Sequence, residues 1–485
     1  MDWNEMLPWS LAMGHEVRGL HVPIEIFAEI FVLCLPTARF TAPSLTAAPL
    51  AVSGVCHRWR QAALATPELW NSLSLDAKWV TPDSSYVEFC TEWISRAGSL
   101  PLSLSLKATE SPYYTNTLLN LVRELSPQWQ DVELDLGAMK QIMTFPPGDY
   151  RLLEKISIVP PSSGLLVSFQ NAPKLREAEL VPYTGQVQFP RRQLTAFSSQ
   201  HLDVAAFFGL LREAPNLVHA TFRILYCEPS ALPTTGLVLP QLQSLALASS
   251  PTPPYIGYNI VPMAILDVLQ TPALKSLTLS FPFRARWPMP HDNPHFLSFV
   301  SRSSFQLHTL ALSLMPVPTP TLMECLRVLP SLVHFKLEPL YLEQGTFFAQ
   351  LVDRDLVPHL ESLHLIFPFS KISQSIVTPT GIPTVVEMLC ARWNAGAGLQ
   401  SFRLAYEDNS WLAEALTLQP GFRRLEEEGM ALYVGKVDKA VDKFVLESSA
   451  PYYGLWKPAI YLLNASRQPG EQSTLRFGAK LRSHP

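Results

Sequence analysis

The sequence LPQLQSLAL, residues Leu239–Leu247, contains the pattern that decides the fold, because close copies of it recur along the chain. The clearest copies are TPALKSLTL at Thr271–Leu279, LPSLVHFKL at Leu329–Leu337 and VPHLESLHL at Val357–Leu365. Weaker copies with the same spacing of leucine and apolar residues are SPQWQDVEL, RLLEKISI, APKLREAEL, APNLVHATF, SFQLHTLAL and GAGLQSFRL. In each copy apolar residues alternate with polar ones, which predicts a β-strand with one buried face.

The segments between several of these phrases have the pattern of helices. HLDVAAFFGLLREAP, TPTLMECLRVLP and TFFAQLVDRDLVP each carry a one-sided apolar stripe that ends at proline. The array resembles leucine-rich repeats: its leading leucines stand 25 to 32 residues apart, near or somewhat beyond the roughly 20 to 29 residues of that family. The resemblance implies an α/β solenoid with a parallel sheet on the concave face and helices on the convex face. The alternative is an ordinary α/β domain with scattered leucines.

One departure from the usual repeat is visible. The Asn or Cys that normally follows the strand, and satisfies backbone groups at the bend, is replaced by Ser250, Pro282 and Pro368. The solenoid is therefore expected to be irregular.

The strand positions on the predicted concave face change in character along the array. The early positions are acidic, the middle ones small and the late ones basic: Asp131, Glu133, Asp135, Glu177 and Glu179; then Ser244, Ala246, Ser276, Thr278, Ser280, Thr309, Ala311 and Ser313; then His334, Lys336, His364 and Arg403. This gradient predicts a target protein with basic and acidic segments separated by a neutral stretch. The candidate target-binding residues are Glu133, Glu177, Glu179, Ser276, Thr278, Thr309, His334, Lys336, His364 and Arg403. The alternative is a face that is merely solvated.

A second informative stretch lies near the N-terminus. It reads LHVPIEIFAEIFVLCLP at Leu20–Pro36 and, after a loop, VCHRWRQAALATPELWNSLSL at Val55–Leu75. Pro23 suits a first helical turn, and Glu25 places a negative charge near the positive helix end. Apolar residues at three- and four-residue intervals predict three short helices. About 55 residues cannot hide all of this apolar surface, so another protein is expected to bind it.

The segment Arg18–Leu75 resembles an F-box, particularly the variant in expanded fungal F-box families. The resemblance implies docking on the Skp adaptor of an SCF (Skp–cullin–F-box) ubiquitin ligase. The matching positions that would contact the adaptor are Val22, Pro23, Ile26, Ile30, Val55, Cys56, Trp59, Leu69 and Trp70. Because a Trp at helical spacing is more often core than contact, Trp59 is expected in the core, whereas Pro23, Ile26 and Ile30 are stronger candidates for the interface.

Composition limits the classes of partner and compartment. With 47% hydrophobic and 16% charged residues, the chain is expected to fold. A formal net charge of −4 gives no electrostatic footprint for nucleic acid, so a protein partner is expected. The six cysteines show no metal-binding spacing and predict buried free thiols in a reducing compartment: Cys34, Cys56, Cys90, Cys227, Cys325 and Cys390. The sequence shows no secretion signal and no apolar run of membrane length.

Patterns of catalysis are not found in the sequence. It has no phosphate-binding loop, no GxSxG and no metal-spaced ligands, and the Gly396-Ala397-Gly398 stretch lacks the rest of a dinucleotide fingerprint. Cys56 and His57 do not form a thiol–base pair, because neighbours on a helix point about 100° apart. We therefore expect no enzyme activity, cofactor or metal, no nucleic-acid or membrane partner, and a cytoplasmic or nuclear location.

These observations divide the chain into six predicted regions. They are a flexible N-terminus (1–17), the F-box (18–75), a connecting segment (76–125), the repeat solenoid (126–418), a C-terminal cap (419–465) and a mobile tail (466–485). The predicted function is that of a substrate-recognition subunit, which binds the Skp adaptor, and thereby a cullin scaffold, through the F-box and an unidentified target through the repeats. The alternative is a protein-interaction scaffold whose degenerate F-box does not join a ligase.

Overall fold

A computed structural model describes residues 23–81, 85–140, 143–145, 148–225, 232–249, 261–281, 294–315, 317–339, 342–367, 381–393, 398–406, 410–438 and 441–442. In these ranges the helices are α1 Ile24–Leu33, α2 Leu50–Ser53, α3 His57–Leu64, α4 Tyr86–Ser95, α5 Pro112–Glu124, α6 Val204–Glu213, α7 Val261–Leu266, α8 Pro294–Ser303, α9 Thr319–Arg327, α10 Gln344–Leu351, α11 Ile382–Trp393, α12 Ser410–Thr417 and α13 Pro420–Glu427. The predicted N-terminus and tail, Val22, and the part of the predicted cap beyond residue 442 lie outside the described residues.

The strands are β1 Ser72–Asp76, β2 Leu102–Lys107, β3 Trp129–Asp135, β4 Met143–Thr144, β5 Lys155–Val159, β6 Leu165–Ser168, β7 Glu177–Leu180, β8 Val187–Gln188, β9 Ala196–Leu202, β10 His219–Ile224, β11 Leu237–Val238, β12 Ser244–Ser249, β13 Leu269–Gln270, β14 Ser276–Ser280, β15 Thr309–Met315, β16 His334–Pro339, β17 Ser362–Phe367, β18 Ser401–Tyr406 and β19 Ala431–Lys436. Fourteen of them form one sheet in the order β1-β2-β3-β5-β7-β9-β10-β12-β14-β15-β16-β17-β18-β19, which follows their order in the chain.

Every neighbouring pair in this sheet is parallel. Each connection must therefore cross from the end of one strand back to the start of the next, on one side of the sheet. The chain is thus a mixed α/β protein built on a large parallel sheet, as the sequence predicts, and its sequential strand order is consistent with an α/β solenoid.

The two faces of the sheet differ because residues alternate along each strand. In β10, Ala220, Phe222 and Ile224 are buried, whereas His219 and Thr221 point to the other side and remain at least partly exposed. The buried sets of all the long strands join with helix residues in one hydrophobic core. We call the opposite face, which carries the exposed alternate residues, the open face.

The repeated leucine phrases lie on this sheet. All ten phrases, from SPQWQDVEL to GAGLQSFRL, lead into strands of the fourteen-stranded sheet: β3, β5, β7, β10, β12 and β14 to β18. The three segments predicted as helices contain α6, α9 and α10, so these predictions are confirmed.

Between β3 and β9 the return segments of the described chain are short strands and turns. β4, β6 and β8 pair in a small three-stranded sheet. A ladder of aromatic side chains runs beneath it across successive repeats: Trp129, Tyr150, Phe169, Phe189, Phe197 and Phe222, with neighbouring ring centroids 4.9 to 6.1 Å apart. These rings belong to the main hydrophobic core, so the core continues through the repeats whose return segments are short strands and turns.

The N-terminal helices form one unit with the start of the sheet. Phe27 and Phe31 of α1 pack against Trp59 of α3, with centroid distances of 5.8 and 5.0 Å. Trp70 is buried, donates its indole N–H to the Ala63 carbonyl at 2.8 Å and meets Trp93 of α4 edge-on at 5.0 Å. We call residues 23–70 the helical module.

Several predicted boundaries and cysteine environments need correction. The sheet begins at Ser72, inside the predicted F-box, and the predicted connecting segment contributes β2, α4 and α5. At the other end β19 extends the sheet into the predicted cap. The cysteines are free where described, and Cys90 and Cys325 are buried as predicted, but Cys34 and Cys56 are exposed because they lie at the ends of short surface helices.

Candidate interaction surfaces

The helical module exposes an apolar stripe on α1. Ile26, Ile30 and Leu33 are 48%, 45% and 85% exposed. Because they are spaced by four and three residues, they lie on the same side of the helix. Phe27 and Phe31 lie about 100° further round the helix and pack inward against Trp59. The same amphipathic helix therefore has one apolar side in the core and a second apolar side in solvent.

The eight predicted adaptor-binding residues that the structure describes fall into three groups by exposure. Exposed in the structure are Pro23, Ile26, Ile30, Val55 and Cys56, and Trp59 is half-buried in the core of the module. Leu69 and Trp70 are buried against the first repeat, so their assignment to an exposed interface is corrected: the core needs them to join the module to the sheet. Leu33 was not among the predicted site residues, although its spacing from Ile26 and Ile30 carries the signal.

On the open face, strand register places one residue of each strand in a continuous row. This central row reads Ser74, Ser105, Glu133, Ser157, Glu179, Ser198, Thr221, Ala246, Thr278, Ala311, Lys336, His364, Arg403 and Tyr433. The row is acidic at β3 and β7, neutral from β9 to β15 and basic at β16 to β18. Six of the ten predicted target-binding residues lie in the central row, and the other four lie in the neighbouring row of the open face: Glu177, Ser276, Thr309 and His334.

The acidic end is partly neutralised by cations. Arg39, from the loop after α1, donates Nε and Nη2 to the two carboxylate oxygens of Asp131 at 3.1 and 2.6 Å. Its Nη1 lies 3.5 Å from Glu133. The hydrogen bond with Asp131 raises the pKa of Arg39, and burial raises the pKa of Glu133. Lys155 pairs with Glu177 at 3.0 Å. The predicted acidic surface is therefore corrected to a mixed one.

A groove of about 400 Å³ lies over this end of the sheet. It is lined by Arg39 and by side chains of β5, β7, β9 and β10, among them Glu177, Glu179, His219 and Thr221. Ser157 donates to Glu179 at 2.9 Å on its floor. The lining is polar and offers both donors and carboxylate acceptors.

The neutral centre of the open face is flat. Ser276 and Thr309 are half-buried, and Thr278 is buried with Ala246 and Ala311. Thr278 therefore offers little surface to a partner, because its short side chain lies between those of the neighbouring strands. Small residues leave room for a partner segment to approach the sheet closely.

The basic end is occupied by a carboxylate of the same chain. Lys336, His364 and Arg403 stand side by side on β16, β17 and β18, and Asp442 bonds with His364 and Arg403. Burial and then the charge of Lys336 lower the pKa of His364 to about 4, so its ring is neutral at pH 7 and donates Nε2–H to Asp442. His334, on the edge of this patch, is exposed.

Other kinds of site find little support in the described residues. Across the parts of the chain that the structure describes, no group of three or more His, Cys, Asp or Glu side chains is arranged to hold a metal ion. No described helix is both long and apolar enough to cross a bilayer. Comparison with known proteins gives no family model and no curated protein that matches this chain. The fold defines the class: a mixed α/β protein built on a large parallel sheet.

Proposed function

We propose that this protein is the substrate-recognition subunit of an SCF-type ubiquitin ligase. The helical module is an F-box that binds the Skp adaptor, and thereby a cullin scaffold, and the leucine-rich repeats hold a target protein on the open face. The chain contributes proximity: holding a target lysine near a ubiquitin-loaded enzyme raises its effective concentration without a catalytic residue here.

The observation that carries this proposal is the exposed stripe of Ile26, Ile30 and Leu33. Aliphatic side chains exposed in a row on one helix are expected where a partner covers them. The stripe belongs to the segment whose sequence resembles an F-box, and Val55 adds 60% exposed apolar surface in the same module. The open face supports the second half of the proposal, because it offers a long row of charged and small residues on rigid strands.

The test is co-purification of the full chain with a Skp adaptor. Ile26→Asp combined with Ile30→Asp places two charges on the stripe, and we expect adaptor binding to fall by roughly a hundredfold or more, because a buried unpaired charge is costly. Tyr113→Asp is the matched control: Tyr113 is 70% exposed on α5, remote in sequence from the module. Thermal melting of each variant confirms folding.

Two results would contradict the proposal. One is equal adaptor binding by the wild type and the double variant. The other is a folded wild type that binds no Skp adaptor, which would favour the scaffold with a degenerate F-box.

A further inference from the structure

The carboxylate of Asp442 is held on the open face in the way a bound ligand is held. Arg403 donates Nε to Oδ1 at 2.6 Å and Nη2 to Oδ2 at 3.1 Å, a two-point contact between guanidinium and carboxylate. His364 Nε2 lies 2.7 Å from Oδ1, and the backbone N–H of Asp438 donates to Oδ2. The Asp442 side chain is only 1% exposed. Both carboxylate oxygens of Asp442 therefore accept two hydrogen bonds each.

The groups that hold this carboxylate are fixed by the sheet. His364 and Arg403, which bind it, occupy the same register on consecutive strands, and Lys336 stands next to them in that register on β16. The Arg403 guanidinium also lies 3.8 Å from the centroid of the Tyr433 ring on β19, which orients it. The site consequently belongs to the strands, whereas its occupant comes from the segment after β19.

That segment also contacts the open face through Val437. Val437 packs on a small apolar patch formed by Ala311, Ile366 and Ala405, and its N–H donates to the Tyr406 carbonyl at 3.0 Å. The segment thus presents one apolar residue and, five positions later, one anion. A segment of another protein with the same two features could make the same contacts.

We propose that His364 and Arg403 form a recognition site for an anionic side chain of the target protein, which Asp442 occupies in cis until a target displaces it. The shared chemistry is a carboxylate or a phosphate a few residues from an apolar side chain. The role in target recognition rests on the proposed function, whereas the anion preference of the site does not. The cis carboxylate competes at high effective concentration, so it sets a threshold for target binding.

The first test is anion rescue of the full chain lacking this carboxylate. We expect acetate or phosphate, compared with chloride at equal ionic strength, to raise the melting temperature of Asp442→Ala but not that of the wild type, whose site is filled. The double variant Arg403→Gln with Asp442→Ala is expected to show no such rise. Rescue by acetate indicates a carboxylate ligand, and rescue by phosphate alone a phosphorylated one. Asp442→Asn serves as the second opened variant if Asp442→Ala does not fold.

The second test uses peptides with the sequence of residues 436–442, KVDKAVD, and its versions ending in Asn or phosphoserine. Asp442→Ala should bind an anionic version roughly tenfold more tightly than the wild type does, and removing the terminal charge should abolish most of this gain. Equal binding of charged and uncharged peptides, or equal anion effects on all variants, would overturn the proposal. Adaptor binding by Asp442→Ala should be unchanged, so failure here and failure of adaptor docking are separate results.

Discussion

His364 makes the basic end of the open face sensitive to acid. It faces Lys336, Arg403 and Asp442, and burial and then Lys336 lower its pKa from 6.5 to about 4. The unfolded chain therefore takes up a proton on this residue at a higher pH than the folded chain does. The contribution of His364 to the free energy of unfolding is fully present above pH 6.5. It is lost as the pH falls toward 4, by up to about 3 kcal/mol.

His364→Gln should remove this part of the pH dependence, because Gln keeps a donor and does not titrate. Urea denaturation at several pH values between about 7 and 4 measures the free energy of unfolding. We expect the wild type to lose more stability than His364→Gln over this range. His308→Gln, at an exposed histidine, is the control. Parallel pH curves for the wild type and His364→Gln would contradict the assigned pKa.

Contacts between distant residues explain what the sequence does not predict at this scale. Arg39 meets Asp131 across 92 positions, and Arg403 meets Asp442 across 39 positions. Local periodicity reports which side of an element a residue occupies, but it does not report which distant segment covers it. The strand phrases predict the charge gradient of the central row. They do not predict the two residues of the same chain that pair with its charged ends, Arg39 and Asp442.

Backbone groups at a bend illustrate the same limit. Buried Arg392 of α11 donates to four carbonyls at the end of α10 and in the loop that follows it: Leu351, Asp353, Leu356 and Val357. These carbonyls precede β17 and Arg392 follows it, so they are satisfied only when α11 packs against the preceding return segment.

At the scale of elements, the leucine phrase predicts the strands wherever the spacing of its leucines is regular. β1 and β2 were not predicted, because one extra residue separates the leading leucine from the strand pattern in LWNSLSL and LPLSLSL. β9 was missed because buried Ser199 stands where the phrase has leucine; its hydroxyl donates to the Leu180 carbonyl instead. Three helical returns, α6, α9 and α10, were predicted from their apolar stripes, whereas α4, α5, α8 and α11 were not. Two-residue strands such as β4 and β8 have no periodicity to read.

The aromatic ladder is the element that should matter most for stability between β3 and β9. Phe169 is buried between Tyr150 and Phe189, with ring centroids 4.9 and 5.8 Å away. Phe169→Ala should lower the free energy of unfolding by about 3 to 5 kcal/mol, because short strands cannot move inward to fill the cavity. Urea denaturation measures the change in the free energy of unfolding. Tyr113→Ala, at an exposed residue of α5, is the control. A loss no larger than that of the control would show that the ladder is not a packed core.

At the scale of the whole molecule, the helical module and the sheet form a single structural unit. Trp70 packs on Trp93, and Thr41 exchanges hydrogen bonds with β1: its N–H donates to Ser72 Oγ at 3.0 Å and its carbonyl accepts from Ser74 at 2.8 Å. These contacts cover part of an edge strand that would otherwise be open to pairing. Together with the Arg39 ion pairs, they fix the exposed stripe relative to the open face. Under the proposed function, this fixed orientation would hold a target at one distance from the bound ligase.

The most direct test of the central claim is hydrogen exchange of the full chain, measured by mass spectrometry with and without a purified Skp adaptor. The account predicts slower exchange in Ile24–Leu33 and around Val55, with the strands of the open face unchanged. Binding that protects the open face and leaves α1 unprotected, or no protection of α1 at saturating adaptor, would contradict it.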